Sequence, residues 1–113
     1  MNNREFGNKG EDIACEYLIK NGYEIVDRNV HFSKFCEIDI IAKLKKKIVF
    51  VEVKTRKNEG FGSPLEAITK NKYNNIKTGV YSYVQEHNIK DFQVDVIGIV
   101  MFPNLKIQHL KNV

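Results

Sequence analysis

The sequence predicts an α/β sandwich built on a mixed sheet, with the element order α-β-β-β-α-β and a further β-strand at the sheet edge. Two segments carry apolar residues at helical spacing, and β-branched residues concentrate in strand-length segments between and after them. The chain has 113 residues, which is the length of one domain. We therefore treat residues 1–113 as a single domain.

The first half of the chain predicts one helix and three strands. A helix is expected from about Arg4 to Asn21, because Gly22 follows as a stop signal. A strand is expected from Tyr23 to Val30, and stronger strands over residues 37–42 and 48–55. The five residues between the last two strands are too few for a crossover helix, so these strands form an antiparallel hairpin.

The second half of the chain begins with a clear helix signal. Ser63 suits the N-cap and Pro64 the first helical position, and the apolar stripe that follows extends to about His87. Phe92 to Met101 is then typical of a strand, and Leu105 to Leu110 of a last strand at the sheet edge.

Composition excludes several classes of protein. An apolar fraction of 42% with 28% charged residues is typical of a globular chain, and no apolar run approaches the roughly 18 residues of a membrane span. The first residues lack the apolar core of a signal peptide, and two cysteines make no disulfide framework. These features predict a cytoplasmic protein without a membrane partner.

The positive charge is concentrated in the middle of the chain. Residues 43–77 contain ten basic and three acidic residues, whereas the net charge of the whole chain is only +4. A basic segment of this kind indicates an anionic partner. The alternative is a solvated lysine-rich surface, and charge alone does not separate the two.

Carboxylates interrupt the apolar pattern of the predicted hairpin. Strand alternation places Asp39 with Glu37 and Ile41 on one face, opposite Ile38, Ile40 and Ala42. A loop over residues 44–47 would set Asp39 directly opposite Glu52, whereas a two-residue loop over 44–45 would make them diagonal neighbours. In either register Asp39, Glu52 and Lys54 cluster on one face.

Two carboxylates this close repel each other unless a cation lies between them. Mg²⁺ suits such a pair, because it binds one or two carboxylates together with phosphate oxygens. Lys54 would lie beside the ion, where an amine can orient a water molecule and neutralise charge on a phosphoryl transition state. The alternative is a ladder of surface ion pairs, which contributes little to stability.

These residues resemble a known family. Asp39, followed thirteen residues later by Glu52-Val53-Lys54, resembles the D…(D/E)-X-K signature of the PD-(D/E)XK, or restriction-endonuclease-like, nucleases. More closely, the chain resembles the YraN-like family of predicted endonucleases, which are similar to archaeal Holliday-junction resolvases. Matching segments extend along residues 7–96, including Gly7-Asn8-Lys9-Gly10-Glu11, Arg28-Asn29, Glu37-Ile38-Asp39, Glu52-Val53-Lys54-Thr55-Arg56, Gly62-Ser63-Pro64, Lys72 and Val94-Asp95-Val96.

The resemblance implies a fold and a set of roles. It implies a three-layer sandwich in which Asp39, Glu52 and the backbone carbonyl of Val53 bind Mg²⁺ or Mn²⁺, with Lys54 as the catalytic lysine. It also implies that Glu11 leans toward the metal, and Glu11 shares a helix stripe with packing residues. The alternative for Glu11 is an acid favoured by the helix dipole.

The implied activity is metal-dependent hydrolysis of phosphodiester bonds in DNA, with structured or branched DNA as the substrate. Because a duplex or junction substrate calls for two active sites, a homodimer is the assembly expected for such an enzyme. The other hypothesis is a nucleic-acid-binding module with an idle site. Lys72 resembles a helix residue near the site in the superfamily, and its alternative is a snorkelling surface lysine. The predicted nucleic-acid contacts are Lys43, Lys45, Lys46, Lys47, Arg56, Lys57 and Lys72.

Residues outside the motif receive ordinary roles. Cys36 stands where the family usually has glycine, which affects how closely DNA can approach that strand but removes no predicted ligand. Asp95, among aliphatic strand residues, is expected to be a hydrogen-bonded structural residue. His109 is expected at the surface or in a loop.

Overall fold

The computed structural model describes residues 3–33 and 36–113. The order of its helices and strands is the predicted one: α1 Asn3–Lys20, β1 Glu24–Ser33, β2 Cys36–Leu44, β3 Lys47–Arg56, α2 Lys70–Glu86, β4 Phe92–Val100 and β5 Lys106–Leu110. Two short 3-10 helices, Glu59–Phe61 and Pro64–Ala67, lie between β3 and α2.

The five strands form one mixed sheet in the order β1-β2-β3-β4-β5. Strands β3 and β4 are parallel, and the other neighbouring pairs are antiparallel. The chain needs α2 as the crossover between the two parallel strands. β2 and β3 form the predicted hairpin at the centre of the sheet, and β5 is the predicted edge strand.

The helices cover opposite faces of the sheet, which confirms the three-layer sandwich. Ala14 and Leu18 of α1 pack against a cluster that includes Ile40 and Val51. On the other face, α2 packs over a second cluster, formed mainly by Ile38, Ile41, Phe50, Ile76 and Val80. Within the part of the chain that the structure describes, no helix has the length and apolar character needed to cross a membrane.

The prediction of one continuous helix from Pro64 to His87 is wrong. Ser63 does cap a helix beginning at Pro64, but this is a short 3-10 helix that ends at Ala67. Ile68 is extended, and Thr69 then caps α2 by accepting a hydrogen bond from Lys72 N. A second N-cap residue within the apolar stripe therefore restarts the helix, and periodicity alone does not reveal such a break.

Strand β1 continues to Ser33, beyond the predicted end at Val30. The extension pairs with the start of β2, where His31 is opposite Glu37 and Ser33 is opposite Cys36. The length of β1 is therefore determined by its pairing with β2, which cannot be predicted from the local sequence.

Candidate functional site

The hairpin brings two carboxylates together where its strands separate. The last paired residues of β2 and β3 at this end are Ile40 and Val51, so the next residues in the register are Asp39 and Glu52. Asp39 Oδ2 accepts a hydrogen bond of 2.8 Å from the backbone N–H of Val53. Of the two predicted registers, the one that places Asp39 opposite Glu52 is observed, with Lys45 and Lys46 forming the turn.

The predicted alternation of β2 fails at Ile38. This residue packs in the cluster beneath α2 together with Ile41, and not with Ile40 and Ala42 beneath α1. The regular alternation of side chains between the two faces of β2 is therefore broken between Ile38 and Ile41, in the region where β2 leaves β3. The irregularity frees Asp39 from the strand ladder and lets its side chain bond the backbone of β3.

Burial disfavours ionisation of both carboxyl groups, and the charge of Glu52 disfavours that of Asp39 further. The pKa of Asp39 is raised from 3.8 to about 7, first by burial and then by the charge of Glu52. The pKa of Glu52, which is only 4% exposed, is also raised by burial, although Lys72 opposes the shift. Among the described residues, no donor reaches the buried Oε2 atom of Glu52. A buried carboxylate oxygen without a partner is costly, so this atom has an unmet need for a cation or a donor.

Lys72 of α2 supplies the nearest positive charge. Its Nζ atom lies 2.9 Å from Glu52 Oε1, while 44% of its side chain remains exposed. Burial alone would lower the pKa of Lys72, but the contact with Glu52 raises it. The structure thus brings Lys72 to the carboxylates, as the family resemblance implied, and the ammonium group occupies one side of Glu52.

Glu11 approaches the same carboxylates from α1. Burial and the charge of Asp39 raise its pKa, whereas Arg28 lowers it. Arg28 Nη2 lies 3.5 Å from Glu11 Oε1, and Arg28 Nη1 lies 2.9 Å from Asp12 Oδ1. With its amide nitrogen facing the acids, Asn29 donates to Glu11 at 3.1 Å and to Glu37 at 2.9 Å. Sequence reasoning found Glu11 and missed the roles of Arg28 and Asn29, although both lie in the matching family segments.

Two clefts meet at Asp39, Glu52 and Lys72. The β3 cleft has a volume of about 610 Å³ and is also lined by Phe6, Gly7, Glu11 and the β3 segment from Val53 to Asn58, including Lys54. The α2 cleft has a volume of about 350 Å³ and is also lined by Cys36, Glu37, Asn75 and Ile76. The carboxylates therefore border one cleft on the α1 face of the sheet and another on the α2 face.

The predicted basic residues fall into two groups. Arg56, Lys57 and Lys72 line the β3 cleft. Lys43, Lys45, Lys46 and Lys47 lie at the opposite end of the hairpin, where Lys45 and Lys46 form the turn. Six residues of strand separate Lys45 from Asp39, which is about 20 Å at roughly 3.3 Å per residue. The structure does not bring this lysine turn to the carboxylates.

The residues present fit a hard divalent cation. Across residues 3–33 and 36–113, no three His, Cys, Asp or Glu side chains are placed so that they could hold a metal ion together. Mg²⁺ does not require three, because one or two carboxylates and additional oxygen ligands suffice. Asp39 and the unsatisfied Oε2 of Glu52 supply these carboxylates, and Val53 lines the same cleft.

A second buried acid lies elsewhere in the sheet and is fully paired. Asp95 accepts hydrogen bonds from Gln93 Nε2 at 2.8 Å and from the backbone N–H of Asn112 at 3.0 Å, and His109 Nε2 lies 2.7 Å from its Oδ2 atom. Tyr17 Oη lies 3.0 Å from His109 Nδ1. The structural role predicted for Asp95 agrees with this network. The surface position predicted for His109 is wrong, because only 5% of its side chain is exposed.

Comparison with known proteins gives one family. The profile described as "Uncharacterised protein family UPF0102" matches residues 10–99, a range that contains Glu11, Asp39, Glu52, Lys54 and Lys72. A UPF0102 protein from Caldicellulosiruptor saccharolyticus is 48% identical over 103 residues, which cover 89% of this chain and 86% of that protein. One from Syntrophomonas wolfei is 40% identical over 113 residues, covering 97% of each chain.

Among solved structures, the chain is similar to Pyrococcus furiosus SfsA, determined in complex with Ca²⁺. The TM-score is 0.36 at 14% identity, and the match covers 96% of this chain and 63% of that protein. A likeness this low carries no argument about the site.

Proposed function

The chain belongs to the family UPF0102, the YraN-like family indicated by its motifs, and we propose that it is a metal-dependent nuclease acting on DNA. One observation carries the proposal above all. Two neighbouring carboxylates, the partly buried Asp39 and the buried Glu52, have raised pKa values, and one buried oxygen of Glu52 has no hydrogen-bond partner among the described residues. Such a pair is costly to the fold unless it binds a cation.

The residues of the site divide the work of hydrolysis. Asp39 and Glu52 would hold Mg²⁺ or Mn²⁺ together with the Val53 carbonyl, and Glu11 would have to move closer to join them, because no three acids among the described residues are placed to share an ion. When bound, such an ion supplies Lewis-acid stabilisation of the phosphoryl group and activation of water. Lys54 lines the same cleft and would donate to the non-bridging oxygens of the reacting phosphate, where negative charge develops.

Lys72 would respond to the charge at Glu52. In the structure its ammonium group neutralises Glu52 Oε1. A divalent ion at the carboxylates would weaken that attraction and release Lys72 toward the phosphate backbone of a substrate. The contact therefore compensates part of the buried charge in the resting protein.

A nucleic-acid strand suits the cleft, because basic residues at the end of β3 line it together with the carboxylates, and DNA is the strand that the family resemblance implies. Arg56 and Lys57 line the cleft and would contact phosphates, which position a strand without reading its sequence. Structured or branched DNA and a homodimer are part of this proposal, since cleavage of two strands requires two sites.

The alternative is a nucleic-acid-binding module whose site is idle. The Lys72–Glu52 ion pair favours it, because an internal cation already neutralises one carboxylate. In that case Asp39 and Glu52 would contribute nothing to catalysis, and the basic cleft would bind DNA on its own.

A cleavage assay separates these two functions. Single strands, duplexes, flaps and four-way junctions would be incubated with Mg²⁺ or Mn²⁺ and the parent protein, Asp39→Ala or Glu52→Ala. The nuclease proposal expects metal-dependent products from the parent and none from either variant. Binding by all three proteins without cleavage of any substrate would establish the module instead.

A further inference from the structure

The two clefts that meet at the carboxylates differ in chemistry. The β3 cleft carries Lys54 and Arg56 at the end of β3 and Lys57 directly after it. Among the described residues that line it, the α2 cleft has no cation beyond the shared Lys72, and the others are Cys36, Glu37, Asn75 and Ile76. As far as the described residues go, a nucleic-acid strand lying across the site would therefore meet more positive charge in the β3 cleft than in the α2 cleft.

The edge of β3 is open along the β3 cleft. Pairing with β2 ends at Val51, so residues 52–56 have no strand partner on that side, although they remain paired with β4 on the other. Gly10 lets α1 approach this segment closely, since a Cβ atom there would collide with Thr55. The cleft is thus a groove with a strand edge as one wall and α1 as the other.

The cations of this groove have no acidic partner within residues 3–33 and 36–113. Among the described residues, Lys54, Arg56 and Lys57 take part in none of the ion pairs, whereas the nearby Arg28 and Lys72 each bind an acid. In addition, Arg56 Nε is buried and has no acceptor within the described part of the chain. Because Arg28 Nε is in the same state although Arg28 pairs with two acids, the support for an anionic ligand at Arg56 is its charge, which no acid among the described residues neutralises.

The α2 cleft does not suit a phosphate. Glu37 contributes an acid there, and Cys36 Sγ is already occupied as a donor to the backbone carbonyl of Asn75. Ile76 adds an apolar surface. This lining suits a sugar or a nucleobase, which is uncharged and offers both an apolar face and hydrogen-bonding groups.

We propose that the open edge of β3 is a phosphate-binding track for one flank of the bound strand, and that the α2 cleft holds the uncharged part of a nucleotide on the other flank. This assignment rests on the proposed nucleic-acid substrate, and it does not require cleavage. The two flanks of the bound strand then differ, because phosphates in the β3 cleft contribute to binding electrostatically and those near the α2 cleft do not.

Salt dependence of binding tests the track. Binding of a fluorescein-labelled four-way DNA junction to full-length Asp39→Asn protein would be followed by anisotropy between 50 and 200 mM NaCl. Because the salt slope falls by about one for each phosphate that the protein no longer neutralises, Arg56→Gln/Lys57→Gln should lower it by about two and weaken binding roughly tenfold at the lower salt. Lys90→Gln/Lys111→Gln makes the same change of charge at exposed residues outside both clefts and should leave the slope unchanged.

A second substitution tests the other cleft. Asn75→Lys adds a cation there, and the slope should stay at its parental value because no phosphate is present. An increase of about one would overturn the assignment. Lys57→Gln alone, at an exposed residue, should still lower the slope by about one if the double variant proves unstable. Equal slopes for the track variants and the Lys90/Lys111 control would also overturn it.

The outcome is independent of the nuclease proposal. A protein that never cleaves DNA, yet shows these slopes, would remove the proposed enzymatic function and leave the track in place. If the parent cleaves DNA but the Arg56 and Lys57 variants keep the parental salt slope, the enzymatic function would stand and the phosphate-binding track would be removed.

Discussion

The sheet contains two buried acidic centres that differ in how their charge is satisfied. At Asp95, burial would raise the pKa of the carboxyl, but the hydrogen bonds from His109, Asn112 and Gln93 outweigh it and lower the pKa. At the other centre, burial raises both pKa values, the charge of Glu52 raises that of Asp39 further, and one carboxylate oxygen of Glu52 has no hydrogen-bond partner within the described chain. Both centres lie on strands of the same sheet.

This difference separates a structural acid from a functional one. Asp95 has all its partners inside the fold, so nothing needs to be added to it. Asp39 and Glu52 lie where two strands part and a cleft opens, and their charge is compensated only in part by Lys72. A buried polar group that its own fold leaves unsatisfied is where an external ligand is expected.

The largest expected difference is in catalysis. Asp39→Asn and Glu52→Gln should lower the rate of metal-dependent DNA cleavage by at least roughly 10²–10³-fold, because they remove the charge that would hold the ion. Asp95→Asn should leave the rate per folded molecule unchanged. Single-turnover cleavage of the best substrate from the screen measures both. Equal losses at Asp39 and Asp95 would show that the two centres do not differ in the way described.

The second expected effect is on stability, and it falls on the other centre. Asp95→Ala removes the acceptor for His109, Gln93 and the Asn112 N–H, and should lower the free energy of unfolding by about 3–5 kcal/mol. Urea denaturation checks this. The matched control is Asp91→Ala, at an exposed acid whose ion pair with Lys47 is long at 3.9 Å, and its expected cost is below about 1 kcal/mol. A loss at Asp95 no greater than at Asp91 would contradict the structural assignment.

Much of this contrast could be predicted from the sequence. The spacing of Asp39 and Glu52 on two hairpin strands restricted them to one face in either register, and strand alternation marked Asp95 as anomalous among aliphatic residues. The partners could not be predicted in the same way. His109 and Tyr17 are 92 residues apart, and their contact follows from the antiparallel pairing of β5 at the edge of the sheet.

The partners of the site residues also could not be predicted from the sequence. Arg28 and Asn29 reach Glu11 because β1 lies beside β2 and α1 packs on the sheet, and no local pattern encodes this approach. The alternating pattern of apolar residues also could not predict that the side chains of β2 change faces near Asp39, because this change arises where β2 separates from β3. The family resemblance supplied the identity of Glu11 and Lys72 but not the residues that hold them.

The third expected effect concerns pH and has opposite signs at the two centres. The folded pKa of Asp39, about 7, lies above its ordinary 3.8, so its contribution to stability is complete below pH 3.8 and is lost as the pH rises through 7. The lowered pKa of Asp95 gives the reverse: its contribution is present above pH 3.8 and is lost as the pH falls below that value.

The variant Asp39→Asn tests the sign of the pH dependence of stability at Asp39. In metal-free protein the amide still accepts from Val53 N–H but does not ionise, so the variant should gain about 2–4 kcal/mol of unfolding free energy over the parent between pH 4 and pH 8. Urea denaturation in EDTA at pH 4, 6 and 8 provides the comparison. A parent that becomes more stable than the variant as the pH rises would refute the repulsion at this centre.

The smallest expected effect is at Lys72. Lys72→Gln removes the ammonium group that competes for Glu52, so Mn²⁺ should bind several-fold more tightly while DNA cleavage slows. Calorimetric titration with Mn²⁺ measures the first change. Lys70→Gln, at an exposed residue of the same helix turn, is the control. Weaker Mn²⁺ binding by the Lys72 variant would show that the lysine supports the ion and does not compete with it.

The central claim is that Asp39 and Glu52 together form a divalent-cation site. Isothermal titration of the parent, Asp39→Asn, Glu52→Gln and Asp95→Asn with Mn²⁺ at pH 8 tests it directly. We expect one binding site in the parent and in Asp95→Asn, and none in Asp39→Asn or Glu52→Gln. Unchanged Mn²⁺ binding in Asp39→Asn, or no binding by the folded parent, would contradict it.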